Sequence, residues 1–145
     1  MSWIRIYIHL VFSTKNRYPY LDSPTKRTNV NQHVLRNAKN KNINLIAVNG
    51  YHEHLHCLIS LNKEQSISDV AKLIKGESSH WINQNKIVQG RFNWQDDYWA
   101  VGVSESHMAG VRNYIYNQEE HHKKVSFNEE IGEFMEKYGW VRIKD

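Results

Sequence analysis

The stretch YHEHLHCLIS at residues 51–60 constrains this chain most, because it places imidazoles inside an otherwise apolar strand pattern. A strand turns successive side chains to opposite faces, so His54 and His56 share one face and the apolar residues between and after them share the other. Two imidazoles on one face indicate a metal or phosphate site. The alternative is a pair of half-exposed strand histidines with ordinary hydrogen-bond partners, since full burial of histidine is uncommon. The pair needs further groups from elsewhere in the chain to become a site.

A second candidate segment is VRNYIYNQEEHH at residues 111–122, which we predict to be helical. Tyr114 and Gln118 are four residues apart, so a helix places them on the same face, one turn apart. With eight tyrosines in the chain, such a pair can arise by coincidence. Combined with His54 and His56, the pair is more specific, and we take these four residues as the candidate site.

Alternation and helical spacing along the chain predict four strands and four helices. Residues 2–13 alternate, with an isoleucine face toward the core. The other face carries Tyr7 and His9 and is exposed enough for a base to stack on it or for a neighbouring strand to cover it. Asn49 and Gly50 form a strong hairpin signal, so the histidine strand should fold back antiparallel to the strand before it. The predicted strands lie at 2–13, 43–49, 51–60 and 99–104, and the predicted helices at 24–40, 66–86, 106–122 and 127–138.

This order of elements predicts an α+β fold. A ferredoxin-like or RRM-like βαββαβ antiparallel sheet, with helices on one face, would carry additional C-terminal helices. At 145 residues with 40% hydrophobic content, the chain suits a single domain spanning residues 1–145. Such a fold hosts many functions, so the site must carry the functional argument.

Composition narrows the class of protein. No run of about 18 apolar residues is present and the N-terminus is unlike a signal peptide, which predicts a soluble, cytoplasmic protein without a membrane partner. The single cysteine, Cys57, excludes an internal disulfide and a zinc motif built from several cysteines. A formal charge of +4 is a mild bias toward nucleic acid. The candidate phosphate contacts are Lys15, Arg17, Lys75 and Ser79, with an ordinary solvated surface as the alternative.

The histidine pair, followed about sixty residues later by Tyr-x-x-x-Gln, resembles the single-tyrosine (Y1) HUH transposases of the IS200/IS605 type. The resemblance runs nearly from end to end of the chain. Asp97 and Trp99 depart from the family pattern, which usually has smaller residues there. The other matching motifs are VFSTKNR at 11–17, LIKGESS at 73–79, FNWQDDY at 92–98 and NQEEHH at 117–122.

The resemblance implies an enzyme that cleaves and rejoins single-stranded DNA at the ends of a mobile element, which are recognised as hairpins. Tyr114 would take the 5′ phosphate in a covalent link and leave a free 3′ hydroxyl. A divalent ion, Mg²⁺ or Mn²⁺, would be held by His54, His56 and Gln118. The family also implies a homodimer whose active sites are composed from both chains, so that a lone chain would hold its two half-sites apart. The enzyme would act on DNA in the nucleoid of a bacterial or archaeal cell.

The chemistry of these residues suits phosphodiester cleavage. That reaction needs an in-line nucleophile and positive charge at the phosphate oxygens. Three neutral ligands would leave the charge of the ion directed at the substrate, although two imidazoles favour Mn²⁺, Co²⁺, Ni²⁺ or Zn²⁺ over Mg²⁺. A phenol with an ordinary pKa of about 10 needs help to ionise, and the sequence identifies no general base for Tyr114.

Two functions from other classes fit the same residues. A non-catalytic nucleic-acid-binding module would stack bases on Trp3 and Tyr7, and it would lose little when Tyr114 becomes Phe. A metal-dependent phosphohydrolase would use water as the nucleophile and leave no covalent product between protein and DNA.

Overall fold

The computed structural model describes residues 1–138, and residues 139–145 of the predicted domain lie outside that range. The predicted order of strands and helices is confirmed, with one additional break in the helix predicted at 106–122. No helix within residues 1–138 is both long and apolar enough to cross a bilayer. In chain order the elements are β1 (Ile6–Ser13), α1 (Pro24–Asn40), β2 (Asn44–Gly50), β3 (His54–Leu61), α2 (Ile67–Gln84), β4 (Trp99–Val103), α3 (Met108–Tyr116), α4 (Gln118–His122) and α5 (Phe127–Tyr138), with short 3-10 turns at Lys15–Arg17 and Glu105–His107.

The four strands form one antiparallel sheet in the order β2-β3-β1-β4. The central strands are β1 and β3, and the edges are β2 and β4. Along the central pair, Ile6 is opposite Leu61 at one end and Ser13 is opposite His54 at the other. This is the βαββαβ arrangement, so the predicted α+β fold class is confirmed.

The first strand begins at Ile6, later than the predicted start at Ser2. Its partner β3 ends at Leu61, the residue opposite Ile6, so β3 has no residue left to pair with residues 2–5. The side chain of Trp3 is 87% exposed there. The length of β1 is therefore limited by its partner, which alternation within one segment does not reveal.

Helices α1 and α2 cover one face of the sheet and build the main core with it. Both helices have a serine N-cap: Ser23 Oγ accepts from Lys26 N at 3.2 Å, and Ser66 Oγ accepts from Asp69 N at 3.0 Å. Each cap satisfies a backbone N–H that has no partner inside the helix. The strand residues buried in this core are Leu10, Phe12, Val48, Leu55, Cys57 and Ile59.

The C-terminal helices cover the opposite face of the sheet, which carries the histidines. One apolar cluster there contains Ala47, Leu58 and Ile115, and another contains Val11, Phe127 and Ile131. His9 on this face is only 3% exposed, and its ring lies 6.3 Å from that of Tyr114 and 5.9 Å from that of Phe134 between centroids. The face of His9 is thus neither open to a base nor covered by a strand, the two arrangements predicted, because α3 and α5 fold over it.

The helix predicted at 106–122 is divided in two at Asn117. Helix α3 ends at Tyr116 and α4 begins at Gln118, with Asn117 at φ −96° and ψ 23°. The Asn49 side chain on β2 donates from Nδ2 to the Tyr116 carbonyl at 3.2 Å. This contact satisfies one of the carbonyls that a helix end leaves free. Because Asn49 is far away in the sequence, the pattern of the helix itself does not show the break.

The hairpin between β2 and β3 requires glycine at Gly50, the last residue of β2, which pairs with Leu55. The turn itself is formed by residues 51–53, later than the predicted position at Asn49 and Gly50. A Cβ atom added at Gly50 would lie only 2.0 Å from the His54 carbonyl oxygen. That oxygen accepts from Tyr51 N at 3.1 Å. The hairpin therefore fixes the start of the histidine strand, and the predicted antiparallel hairpin is confirmed.

We expect Gly50→Ala to lower the free energy of unfolding by about 1–3 kcal/mol, because the added methyl group overlaps the His54 carbonyl. Gly76→Ala in α2 is the matched control: no atom lies within 4 Å of the added Cβ, and alanine should raise the free energy of unfolding by up to about 1 kcal/mol. Urea denaturation followed by circular dichroism measures both. Equal effects of the two substitutions would contradict the steric requirement at Gly50.

Candidate active site

His54 and His56 lie on the central strand β3, and neither side chain is exposed. Their rings point away from the core of α1 and α2, with centroids 5.0 Å apart. Strands pair with β3 on both sides, so the backbone hydrogen bonds of the sheet fix the backbone positions from which the two side chains extend.

The tautomers of two histidines follow from their Nδ1 partners. His54 Nδ1 donates to Glu53 Oε1 at 2.7 Å, and His122 Nδ1 donates to the Val125 carbonyl at 2.7 Å. A carboxylate and a carbonyl only accept, so the hydrogen of each neutral ring is on Nδ1. The Nε2 atoms of His54 and His122 then carry no hydrogen, and each offers a lone pair. This is how ligating histidines are commonly held, with the second nitrogen bonded to a carboxylate or carbonyl.

His56 has a neighbouring histidine as its Nδ1 partner. His56 Nδ1 lies 2.8 Å from His9 Nε2. Burial lowers the pKa of His9 to about 3 and the pKa of His56 to about 4, so both rings are neutral near pH 7. When His56 Nδ1 donates to His9, His56 Nε2 carries no hydrogen and offers its lone pair to the site.

Gln118 is fully buried, and its amide oxygen faces the histidines. Oε1 lies 3.1 Å from His54 Nε2 and 3.0 Å from His122 Nε2. The amide nitrogen donates to the Tyr114 carbonyl at 3.3 Å. This contact with the preceding turn uses the amide hydrogens and thereby directs the oxygen toward the centre of the site.

Tyr114 lies beside the histidines within one chain. Its ring centroid is 5.6 Å from that of His56. Its hydroxyl donates to the Glu130 carboxylate and lies 3.3 Å from His121 Nε2. Burial, with the Glu130 carboxylate, raises the pKa of Tyr114 above its ordinary value. A lone chain was expected to hold its half-sites apart, whereas this chain brings Tyr114, Gln118 and both histidines together.

Glu130 on α5 completes the cluster, and the sequence analysis missed it. Its side chain is fully buried. Oε1 lies 3.0 Å from His56 Nε2 and 3.4 Å from His54 Nε2, while Oε2 lies 3.1 Å from His121 Nε2 and 3.3 Å from His122 Nε2. Burial alone would raise the pKa of Glu130, but its contacts with the surrounding imidazoles, that of His122 first, lower the pKa below its ordinary value.

The donor set fits a divalent cation. One ligand atom from each of His54, His56, His122 and Glu130 lies within 4.8 Å of the other three. Gln118 Oε1 adjoins them, 3.1 Å from His54 Nε2. Two lone-pair atoms about 3 Å apart repel each other unless a hydrogen or a cation lies between them. Neighbouring ligands of an octahedral ion with bonds of about 2.1 Å lie about 3 Å apart. In the metal-free protein, a proton on His122 can separate these atoms instead of a cation. Burial lowers the pKa of His122, but the neighbouring Glu130 carboxylate outweighs burial and raises it.

Helix α4, which carries Gln118, is tied to α1 by a buried arginine. The Arg27 guanidinium donates to Glu119 Oε1 at 2.7 Å and to the Leu21 carbonyl at 2.8 Å. It also lies 4.9 Å from the ring centroid of Tyr51, and that ring stacks on His122 at 5.3 Å. These contacts position the short helix that supplies both Gln118 and His122.

The candidate phosphate contacts are placed differently from one another. Lys15 is exposed in the turn after β1. The Arg17 guanidinium donates to Asn128 Oδ1 at the start of α5. On α2, Lys75 Nζ donates to the Asp96 carbonyl at 2.8 Å and Ser79 Oγ to the Phe92 carbonyl at 3.3 Å. Lys75 and Ser79 therefore hold the loop before β4, and their contact with DNA stays a prediction.

This chain is similar to transposases in sequence and in fold. The sequence model of the family described as "Transposase IS200 like" matches residues 2–118. No curated protein matches the chain by sequence. Among solved structures, a protein from Deinococcus radiodurans R1 described as a transposase is 24% identical, with a TM-score of 0.60 over 81% of this chain and 93% of that one. A REP-associated tyrosine transposase bound to a REP hairpin is 17% identical, with a TM-score of 0.60 over 84% of this chain and 72% of that one.

The family match spans most of the chain. It includes His54, His56, Tyr114 and Gln118, and it ends before α5. The two solved structures share the fold at low sequence identity. The resemblance found in the sequence is confirmed, and this chain belongs to the IS200-like transposase family.

Proposed function

We propose that this chain is a metal-dependent transposase that cleaves and rejoins single-stranded DNA with Tyr114 as the nucleophile. The observation that carries the proposal is the position of the Tyr114 phenol beside two buried histidines, with its ring centroid 5.6 Å from that of His56. In the proposed step the phenol oxygen bonds to phosphorus and the bond to the 3′ oxygen breaks. The phenol gives up its proton and the 3′ oxygen takes one, which leaves a 5′-phosphotyrosine and a free 3′ hydroxyl.

The chain supplies ligands and positions the nucleophile. His54, His56 and Gln118 would hold Mg²⁺ or Mn²⁺. When bound, the ion supplies positive charge where the phosphate oxygens and the leaving oxygen become negative. The Gln118 amide nitrogen donates a hydrogen bond to the Tyr114 carbonyl and so helps to position the nucleophile. The phenol hydrogen is directed at Glu130, with His121 Nε2 at 3.3 Å, so these groups are placed to receive the proton.

Single-stranded DNA hairpins are the proposed substrate. The hairpin bound by the REP-associated relative supports this ligand class. Lys15 and Arg17 follow β1 at the end where Ser13 is opposite His54, so their backbone is close to the site. We propose these two residues, with Lys75 and Ser79, as contacts to the DNA backbone, which would fix its register without reading sequence. The proposed place of action is the cytoplasm.

A homodimer stays part of the proposal, because joining two DNA ends calls for two tyrosines. The resemblance implies active sites shared between chains, whereas all the candidate site residues come from one chain in this structure. We therefore propose that the site assembles within one chain, and we distinguish the two arrangements by mixing inactive variants.

We expect Tyr114→Phe to abolish the covalent adduct between protein and DNA. Labelled single-stranded DNA with candidate hairpins, incubated with Mn²⁺ or Mg²⁺, is separated on a denaturing gel. Tyr116→Phe is the matched control, because Tyr116 is on the same helix and is 54% exposed. Equal cutting by wild type and Tyr114→Phe would support water as the nucleophile. Tight binding without cutting of genuine element ends would support a binding module.

Mn²⁺ should bind the wild-type protein, and His56→Ala should weaken that binding by at least about 100-fold, because the substitution removes a ligand. Isothermal titration calorimetry measures the affinities, with circular dichroism to verify folding. His80→Ala removes an exposed imidazole of α2 and serves as the control. Equal affinity of wild type and His56→Ala would contradict the metal centre.

Mixing Tyr114→Phe with His56→Ala tests where the site assembles. If each site comes from one chain, every site in the mixture carries one lesion, and we expect the mixture to remain as inactive as either variant. The measurement is the amount of covalent adduct after incubation long enough for subunits to exchange. Restored adduct would instead show sites composed from both chains.

A further inference from the structure

Helix α5 lies beyond the residues that match the family, yet it packs directly on the active site. The ring of Phe127 stacks on that of His54, with centroids 4.1 Å apart and planes at 11°. Trp99 meets the same phenylalanine edge to face at 5.9 Å, and the Arg17 guanidinium lies 5.1 Å from its centroid. The first turn of α5 is therefore held by residues of the sheet and of the turn after β1.

Packing at this end directs Glu130 into the site. Glu130 follows Phe127 by three residues and precedes Phe134 by four, so all three lie on one face of α5. The exposed fraction of Glu130 is zero. Within residues 1–138, every ion pair recorded for Glu130 is with an imidazole.

A buried carboxylate needs compensating charge. Removing an ionised carboxylate from water costs several kcal/mol unless a cation and hydrogen bonds offset it. Both Glu130 oxygens face imidazole nitrogens, at distances of 3.0 to 3.4 Å. A divalent ion among the same atoms would supply the missing charge.

We propose that Glu130 is an anionic ligand of the divalent ion, delivered by α5, which makes this helix part of the catalytic centre. The inference rests on the proposed function, since it assumes the ion bound by His54 and His56. Glu130 Oε1 lies 3.0 Å from His56 Nε2 and 3.4 Å from His54 Nε2, the spacing of neighbouring ligands. The competing arrangement is a plug, in which Glu130 fills the site and the ion must expel it.

The two oxygens of Glu130 face different partners. Oε1 is on the side of His54 and His56, while Oε2 accepts the hydrogen of the Tyr114 hydroxyl. A carboxylate in this position fixes the nucleophile relative to the ion. It also changes the donor set from neutral ligands alone to imidazoles, an amide oxygen and one carboxylate. Such a mixture suits Mn²⁺ better than Mg²⁺, which prefers oxygen ligands.

The test is the affinity for Mn²⁺, measured by calorimetry and by electron paramagnetic resonance of the bound ion. Glu130→Gln keeps the size of the side chain and removes its charge, and we expect it to weaken binding by about 10- to 100-fold. Glu129→Gln, at an exposed neighbouring position of α5, should change the affinity less than about twofold. Unchanged or tighter binding by Glu130→Gln would overturn the proposal and favour the plug.

Two further measurements keep the outcomes distinct. If His56→Ala binds Mn²⁺ as tightly as wild type, the proposed function itself fails; if His56→Ala loses binding and Glu130→Gln does not, only this inference fails. Hydrogen exchange in the wild-type protein needs no substitution. Mn²⁺ should slow amide exchange in residues 127–137, because a ligand on α5 couples docking of the helix to metal binding. Exchange that is unchanged or faster with Mn²⁺ would overturn the proposal.

Discussion

The site depends on the antiparallel pairing of β1 with β3. In the observed register Ser13 is opposite His54 and Val11 is opposite His56, and alternation sends Leu55 to the core of α1 and α2. A shift of one residue would reverse the faces of β3. Both imidazoles would then enter an apolar core without partners, and Leu55 would face Tyr114. Gly50, the last residue of β2, has no room for a Cβ beside the His54 carbonyl, and this close approach opposes such a shift because it sets where β3 begins.

The register also makes it possible to bury a polar cluster inside a small protein. His54, His56, Gln118 and Glu130 are fully buried, a costly set unless each polar atom has a partner. The atoms of these side chains that point away from the centre of the site form hydrogen bonds with the surrounding protein. Nδ1 of His54 bonds to Glu53, Nδ1 of His56 to His9, and the Gln118 amide nitrogen to the Tyr114 carbonyl. The inner atoms converge on one another. The outer contacts therefore orient lone pairs toward a point that a cation can occupy.

Much of the fold could be predicted from sequence because the relevant signals are local. Alternation assigned His54 and His56 to the face opposite Cys57. The Asn49–Gly50 pair predicted the hairpin, although both residues belong to β2 and the turn follows them. Tertiary effects account for what was missed. The break at Asn117 depends on a side chain from β2, and the length of β1 depends on where β3 ends.

The candidate site shows the same division between local and tertiary information. Tyr114 and Gln118 were found because their spacing is a property of one helix. Glu130 was missed, although it lies at helical spacing from Phe127 and Phe134. A glutamate within the apolar stripe of an amphipathic helix was the available signal. The stripe shows that this residue faces inward, but not that it meets the histidines of a strand some seventy residues earlier.

Trp99 on β4 packs on Phe127, in the first turn of the helix that carries Glu130. A glycine or another small residue at this position would leave one side of Phe127 without its aromatic neighbour and would remove the indole beside Arg17, whose guanidinium is 5.9 Å from that ring. Because Phe127 stacks on His54 and is one turn from Glu130, the indole on β4 supports the carboxylate in the site. The bulky residue at 99 and the buried glutamate at 130 are thus two ends of one packed unit.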